Sequence, residues 1–303
     1  MLSKVCYTQT ITWKDLDSIA EKNIQYFTYD QLPDTSLKIW FVQTPIKKKT
    51  PKCAAIIWIH GGAWVSGKAS TFFANATYCN LNNAMGFSIE YRLLNKGNYS
   101  ITNCIDDCVN AIQAIKAKHQ QFNIDTNKIV LVGESAGGHL AAMIALQKKQ
   151  NIKALVLYNP VLNCYTGTFI KYIHAPLLVN KQPLDTTKLL LQLKERAIAL
   201  SPLYQVTHSL PPTLIVQGLN DIITPPEYAV SFKNILLKKQ TSCKLELLPN
   251  TNHAFAIPHY KASEAQVIHA LNSLTRFLFD RKIIKKLRVT ITNSFSNTWY
   301  IRK

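Results

Sequence analysis

The feature that most constrains this chain is an alternation. Six times between residues 54 and 279, a short apolar run is followed by a turn and then by a longer, helical or mixed stretch. The runs are Ala54 to Ile59, Phe87 to Arg92, Lys128 to Val132, Lys153 to Tyr158, Thr213 to Gln217 and Lys244 to Leu248. The first, Ala54 to Ile59, is continuously apolar and ends in glycines, the pattern of a strand buried on both faces. Helical text fills the intervals at Ala69 to Ala84, Ile101 to Lys118, Ala136 to about Lys148, from Pro225-Pro226 onward, and Ser263 to Phe279. Such a repeat folds as an α/β protein, a mostly parallel central sheet with right-handed crossovers and helices on both faces.

Two segments depart from the rhythm at the front and in the middle. Phe27 to Thr44 alternates polar with apolar around Pro33-Asp34, which predicts an antiparallel hairpin at one sheet edge, followed by a lysine turn at Lys47 to Lys49. Residues 165–200 interrupt the strand–helix order and are expected to form a small helical cap above the sheet. At the end, 281–303 is rich in Lys and Arg and holds β-like text at Leu287 to Thr292 and Trp299 to Ile301, expected to be a peripheral strand or a frayed end. One domain spanning 1–303 is expected, because no linker divides the chain.

Composition narrows the function classes. Of 303 residues, 35 are Lys or Arg against 17 Asp or Glu, a formal charge of +18 that favours anionic surfaces without supplying a nucleic-acid motif. No nucleic-acid partner is expected. The basic end of the chain is the one place where weak contact with an anionic surface is foreseen. Seven cysteines lack the spacing of a disulfide framework, and Cys104 and Cys108, though one helical turn apart, have no further ligands clustered near them. Reduced thiols, a cytoplasmic location and no metal are the resulting expectations. No apolar run reaches the ~18 residues of a membrane span, and the N-terminal residues lead into polar text, so no secretory leader is expected of them.

The chemistry is concentrated in three places. Gly133-Glu134-Ser135-Ala136-Gly137 matches G-x-S-x-G, with an apolar strand entering and helical text leaving, the setting that lifts a serine hydroxyl clear of the backbone. His60-Gly61-Gly62-Ala63-Trp64 follows the first buried strand, where paired glycines let backbone N–H groups approach a developing oxyanion. The expected donors are the N–H groups of Gly61, Gly62 and Ala136, with that of Ala63 as the alternative. Past Ser135, only His253 sits in a short loop after a late strand, so it is the expected base. Asp185 and Glu195 fall in the cap, Glu227 opens a helix and Glu246 lies within a strand. Asp221, in a loop at a strand's carboxyl end, is therefore the expected orienter. His60 is expected to brace its loop, His139 to pack or bond locally and His269 to lie at a surface or interface.

Together with Glu90-Tyr91-Arg92-Leu93 and His253-Ala254-Phe255, these motifs resemble the hormone-sensitive-lipase-like and bacterial feruloyl- or acetyl-esterase-like α/β hydrolases over roughly residues 27–280. The resemblance implies a serine esterase of the α/β-hydrolase fold that cleaves small, short-acyl carboxylic esters through an acyl-enzyme, with no cofactor. Ala63 stands where many relatives carry a third glycine, and Glu90, where an aspartate is common, is expected to pair with a cation. Amide hydrolysis of the arylformamidase kind and serine peptidase chemistry use the same scaffold and stay open, as does, more remotely, a catalytically silent binding protein. Neither the acyl specificity nor the oligomeric state is expressed in the sequence.

Overall fold

The computed structural model describes residues 9–33, 35–42, 51–97, 99–147, 149–174, 186–257, 262–285 and 287–292. In chain order the elements are β1 (Gln9–Thr12), α1 (Trp13–Asn23), β2 (Ile24–Gln31), β3 (Ser36–Val42), β4 (Cys53–Ile59), α2 (Phe73–Leu81) and β5 (Ala84–Ile89). Then follow α3 (Ile101–Ala117), β6 (Ile124–Glu134), α4 (Ala136–Leu146), β7 (Ile152–Tyr158), α5 (Ile170–His174), α6 (Thr186–Ala199) and α7 (Pro202–Gln205). The chain closes with β8 (Thr213–Gly218), α8 (Pro226–Lys238), β9 (Cys243–Leu248), α9 (Glu264–Asp280) and β10 (Val289–Thr292).

Eight strands form one sheet in the order β2-β3-β5-β4-β6-β7-β8-β9. The edge β2–β3–β5 is antiparallel and the remainder parallel, so every strand from β4 to β9 ends at the same rim. Alternate residues of β4 show why both faces are covered. Ala55, Ile57 and Ile59 join a core with α3, α4 and α8, whereas Ala54, Ile56 and Trp58 join one with α1, α2 and α9. All six are buried. A fully buried aliphatic side chain contributes roughly 1.5–3 kcal/mol, so these two apolar layers fix which way each strand faces.

Several boundaries differ from expectation. The strand foreseen at Phe87 to Arg92 is β5, Ala84–Ile89; Asn83 turns the chain at φ 61° and three weak strand formers, Ala84, Met85 and Gly86, are drawn into the sheet by burial. The helix foreseen from Ala69 begins instead as a 3-10 turn, Ala69–Phe72, before α2. The hairpin starts at Ile24 and pairs Tyr26 with Trp40. Neither β1 nor α1 was anticipated. Thr12 caps α1 through a reciprocal pair with Asp15, the Thr12 N–H donating to the carboxylate at 2.8 Å. The β-like text at Leu287 to Thr292 supplies β10, which lies parallel to β1 with Gln9 opposite Val289. The Asn82 Oδ1 accepts from the N–H groups of Arg288 and Val289 at 2.9 and 3.0 Å and anchors that strand. The lysine turn at residues 47–49 and the aromatic cluster at residues 299–301 lie outside the described residues.

Candidate active site

β6 delivers Ser135 to the rim and α4 begins with the next residue. Ser135 has φ 53°, ψ −117°, a conformation rare for a residue with a side chain, and the surroundings enforce it. Its N–H donates to the Tyr158 carbonyl at 3.0 Å and its own carbonyl accepts from His139 at 3.0 Å and Val161 at 3.2 Å. At Gly137 any Cβ would collide with the Ile59 carbonyl, so only glycine lets α4 approach β4 this closely.

Asp221 follows β8 and His253 follows β9, and the two loops are laced together. Leu219 N–H donates to the Leu248 carbonyl and Asn220 N–H to the Thr251 carbonyl, both at 3.0 Å. This lacing brings side chains remote in sequence into line. His253 Nε2 stands 2.9 Å from Ser135 Oγ, and His253 Nδ1 stands 2.8 Å from Asp221 Oδ2. With Nδ1–H donating to the carboxylate, Nε2 presents its lone pair to the serine O–H.

Electrostatics suit that assignment. Burial alone depresses the basicity of His253, but hydrogen bonding to Asp221 and the charges of Glu134 and Asp221 outweigh it, and its pKa lies above 6.5. Burial likewise opposes ionisation of Asp221, yet the His253 bond and the Thr224 donors hold its carboxyl below 3.8. Its Oδ1 accepts from the N–H groups of Ile223 and Thr224, each at 2.9 Å, and Oδ2 accepts from Gln217 Nε2 at 3.0 Å and Thr224 Oγ1 at 2.7 Å. Glu134, wholly buried beside Ser135, has its pKa raised by that burial and accepts from Asn159 Nδ2 at 2.8 Å.

The loop after β4 lies against the serine. A Cβ on Gly61 would strike the Glu134 carboxylate and come within 3.1 Å of Ser135 Cβ. Its carbonyls are tied back on the other side. His60 Nδ1–H donates to the Gly61 carbonyl at 2.8 Å, and the Tyr91 hydroxyl, whose ring stacks on His60 at 4.3 Å, donates to the His60 carbonyl at 2.8 Å. The first α4 ladder bond runs from His139 N–H to Ser135, so the N–H of Ala136 precedes the ladder and has no intrahelical acceptor. Of the three expected donors, Gly61 lies against Ser135, Gly62 packs on Ser66 in the same loop, and Ala136 directly follows the serine.

The remaining sequence expectations divide. His60 braces its loop, His139 donates through Nε2 to the Leu200 carbonyl at 2.7 Å, and His269 is an exposed side chain 3.6 Å from Glu246. Glu227 opens α8 and Glu246 lies in β9. Glu90 is a correction: no ion pair to it is found among the described residues. Instead its carboxylate accepts from Trp40 Nε1 at 2.9 Å and the Lys38 N–H at 3.2 Å, and the ion pair belongs to Arg92 with buried Asp107, at 2.6 Å. Asp185 lies outside the described residues. Gln217, Thr224, Asn159 and Tyr91 escaped the sequence reading. Only Thr224 carried a local cue, a hydroxyl three residues after an aspartate in a loop, where side-chain turns form.

Comparison with known proteins agrees with this architecture. The BD-FAE family model matches residues 42–236. An arylesterase of Saccharolobus solfataricus is 29% identical over 138 residues, which cover 42% of this chain and 43% of that protein. The esterase LipC of Mycobacterium tuberculosis is 27% identical over 241 residues, 75% of this chain and 58% of the relative. Against the first three known relatives the chain spans 43%, 26% and 54% of their lengths. A propionate-bound esterase 2 of Thermogutta terrifontis superimposes with a TM-score of 0.73 at 23% identity, covering 87% of this chain and 96% of that one. The same esterase phosphonylated by sarin gives 0.71 at 23% identity, covering 86% and 96%. With the fold, the elbow and a family match over most of the parallel sheet, the chain belongs to the BD-FAE family of α/β hydrolases.

Proposed function

We propose that the chain is a serine hydrolase of carboxylic esters, with Ser135 as nucleophile, His253 as base and Asp221 as its orienter. The observation that carries this reading is the unbroken line from Ser135 Oγ through His253 to Asp221, at 2.9 and 2.8 Å. His253 Nε2 takes the serine proton as Oγ attacks the ester carbonyl carbon. The carbonyl oxygen becomes an oxyanion held by the N–H groups of Gly61, Gly62 and Ala136. Collapse expels the alcohol, which receives the proton from His253, and leaves an acyl-Ser135 ester. Water, deprotonated by the same nitrogen, then attacks the acyl carbon; the acid departs and Ser135 recovers its proton.

We assign the cap to the stretch between β7 and β8 that holds α5 and α6. Buried Phe169 at 5.8 Å and half-buried Tyr172 at 6.1 Å pack edge-on against Trp64 of the oxyanion loop, which supports a cap that shapes the acyl site. Propionate and butyrate in the similar Thermogutta structures support short acyl chains. Six free cysteines among the described residues support a reducing, cytoplasmic setting. Among the described residues, no helix is long and apolar enough to cross a membrane. Arg281, Lys282, Lys285 and Arg288 support contact of the chain's end with anionic surfaces.

A panel of p-nitrophenyl acyl esters of increasing length, run beside an N-formyl aryl amide on wild type and Ser135→Ala, tests the reading. Turnover of the short esters that vanishes in the variant supports it. Preference for the formamide transfers the assignment to amide hydrolysis, and ester turnover that survives Ser135→Ala sinks it.

A further inference from the structure

Thr224 is unused by the mechanism above, yet its hydroxyl sits at the centre of the polar network. It lies in the loop between β8 and α8, directly before Pro225-Pro226. Its Oγ1 is 2.7 Å from Asp221 Oδ2, 3.2 Å from His253 Nδ1 and 3.2 Å from the Asn159 carbonyl oxygen. A hydroxyl has a single proton, and among these neighbours the carboxylate is the nearest acceptor and the charged one, so the proton is given to Oδ2. The oxygen's lone pairs are then free for a second partner, the His253 Nδ1–H. That N–H is forked between Asp221 Oδ2 at 2.8 Å and Thr224 Oγ1 at 3.2 Å.

The fork is anchored on both sides. The Thr224 N–H donates to the other carboxylate oxygen at 2.9 Å, fixing the threonine to the acid it assists. Asn159, whose carbonyl backs the hydroxyl, sends its Nδ2 to Glu134 at 2.8 Å, one residue before the nucleophile. The side chain is buried, so water does not compete for these partners.

We propose that the Thr224 hydroxyl is a positioning group that holds the His253 imidazole in the plane aimed at Ser135, by sharing its Nδ1–H with Asp221 and by donating to the Asp221 carboxylate. The inference rests on the ester-hydrolase reading. It carries a consequence for pH. Two carboxylates face His253, Asp221 from the β8 loop and Glu134 from the end of β6. Removing the hydroxyl takes a 2.7 Å donor from Asp221, which strengthens its pull on the imidazolium, and a 3.2 Å acceptor from His253, which weakens it. The shorter, charge-assisted contact dominates, so His253 becomes more basic and the acid limb of kcat/KM moves to higher pH.

The test uses the full chain with p-nitrophenyl butyrate, comparing wild type, Thr224→Val, Thr224→Ser and Ser135→Ala. Valine keeps the shape and removes the hydroxyl. Thr224→Val is expected to lose about tenfold to a hundredfold in kcat, the scale of one hydrogen bond to a charged group, with KM changed less than about threefold and the acid limb shifted up. Thr224→Ser is expected to recover most of kcat and the wild-type limb. A Val variant with wild-type kcat and limb overturns the proposal, as does a Ser variant as impaired as Val, which would assign the loss to methyl packing. Should Val prevent folding, Thr224→Ala is judged against Ser by the same two readouts. A wild type without Ser135-dependent turnover overturns the ester reading and this inference with it; a normal wild type with an insensitive Val variant overturns this inference alone.

Discussion

The two ends of the parallel sheet are built from the same strands, yet they spend conformational strain differently. At the amino ends, the left-handed residues are amides: Asn83 before β5, Asn123 before β6, Asn151 before β7 and Gln240 before β9, at φ of 61, 50, 49 and 57°. Asparagine visits this region at little cost because its short side chain bonds locally. At the carboxyl ends two asparagines recur, Asn159 after β7 and Asn250 after β9 at 34 and 50°, but beside them stand four residues that are not amides, Ala63 and Trp64 after β4, Ser135 after β6 and Ala254 after β9, at 52, 61, 53 and 61°. None of these four has a local compensation, and each costs on the order of 1–3 kcal/mol. The cost is met by packing around them, with Trp64 and Ser135 both buried. Strain thus gathers at the rim that holds the hydroxyl, imidazole and carboxylate, while the opposite rim uses cheap turns, one of which, at Asn151, lines a cavity of about 240 Å3 together with Ile144, Gln150 and Pro211.

If the contrast is functional, changes at the carboxyl rim should cost activity and changes at the amino rim should cost stability. Removing the proposed nucleophile or base is the largest expected effect. Ser135→Ala or His253→Ala should lower kcat by a factor on the order of 10⁶, read by ester turnover, with the thermal transition retained. Asp221→Asn keeps the shape but inverts the hydrogen bond to His253 Nδ1, and a loss of about 10⁴ is expected. Gly61→Ala drives a methyl group into the Glu134 carboxylate and should displace the proposed oxyanion donors, for which a loss of about 10²–10³ in kcat is expected.

The pH profile sharpens the same point. His253 must be neutral to accept the serine proton, and its pKa is raised above 6.5, so kcat/KM should fall tenfold per unit below a limb lying above 6.5. The raised pKa also means that its protonated form favours folding, fully below about 6.5 and not at all once pH passes the folded pKa. Activity and this stability contribution therefore move in opposite directions across one pH window. At the amino rim, Asn151→Ala places alanine at φ 49° and removes the 3.1 Å bond to Asn127. It should cost about 1 kcal/mol of unfolding free energy and leave kcat/KM unaltered, whereas an activity loss there would break the contrast.

How much of this was legible in the sequence follows from the range of each signal. The buried strands were readable because runs such as Ala54 to Ile59 are short, apolar and followed by glycines. The parallel pairing of β1 with β10 was not, since partners about 280 residues apart leave no local trace and Asn82, which anchors β10, looks like any turn residue. The α1 helix was missed although Thr12 and Asp15 spell a capping pair, because its apolar positions, Trp13, Leu16 and Ala20, are sparse. At the site, residue type and order pointed to Ser135, Asp221 and His253, since each needs a loop at a strand's carboxyl end. The partners that hold them, Gln217, Thr224 and Asn159, act through hydrogen bonds that exist only after the loops meet.

The most direct test of the central claim is stoichiometric labelling with a p-nitrophenyl phosphonate, following residual ester turnover and the mass of the modified peptide together. The account predicts one phosphonyl group per chain, on the peptide carrying Ser135, with turnover lost in proportion to labelling and no labelling of His253→Ala on the same time scale. Protein fully phosphonylated at Ser135 that still hydrolyses esters, or an active enzyme whose label falls on another residue, would contradict it.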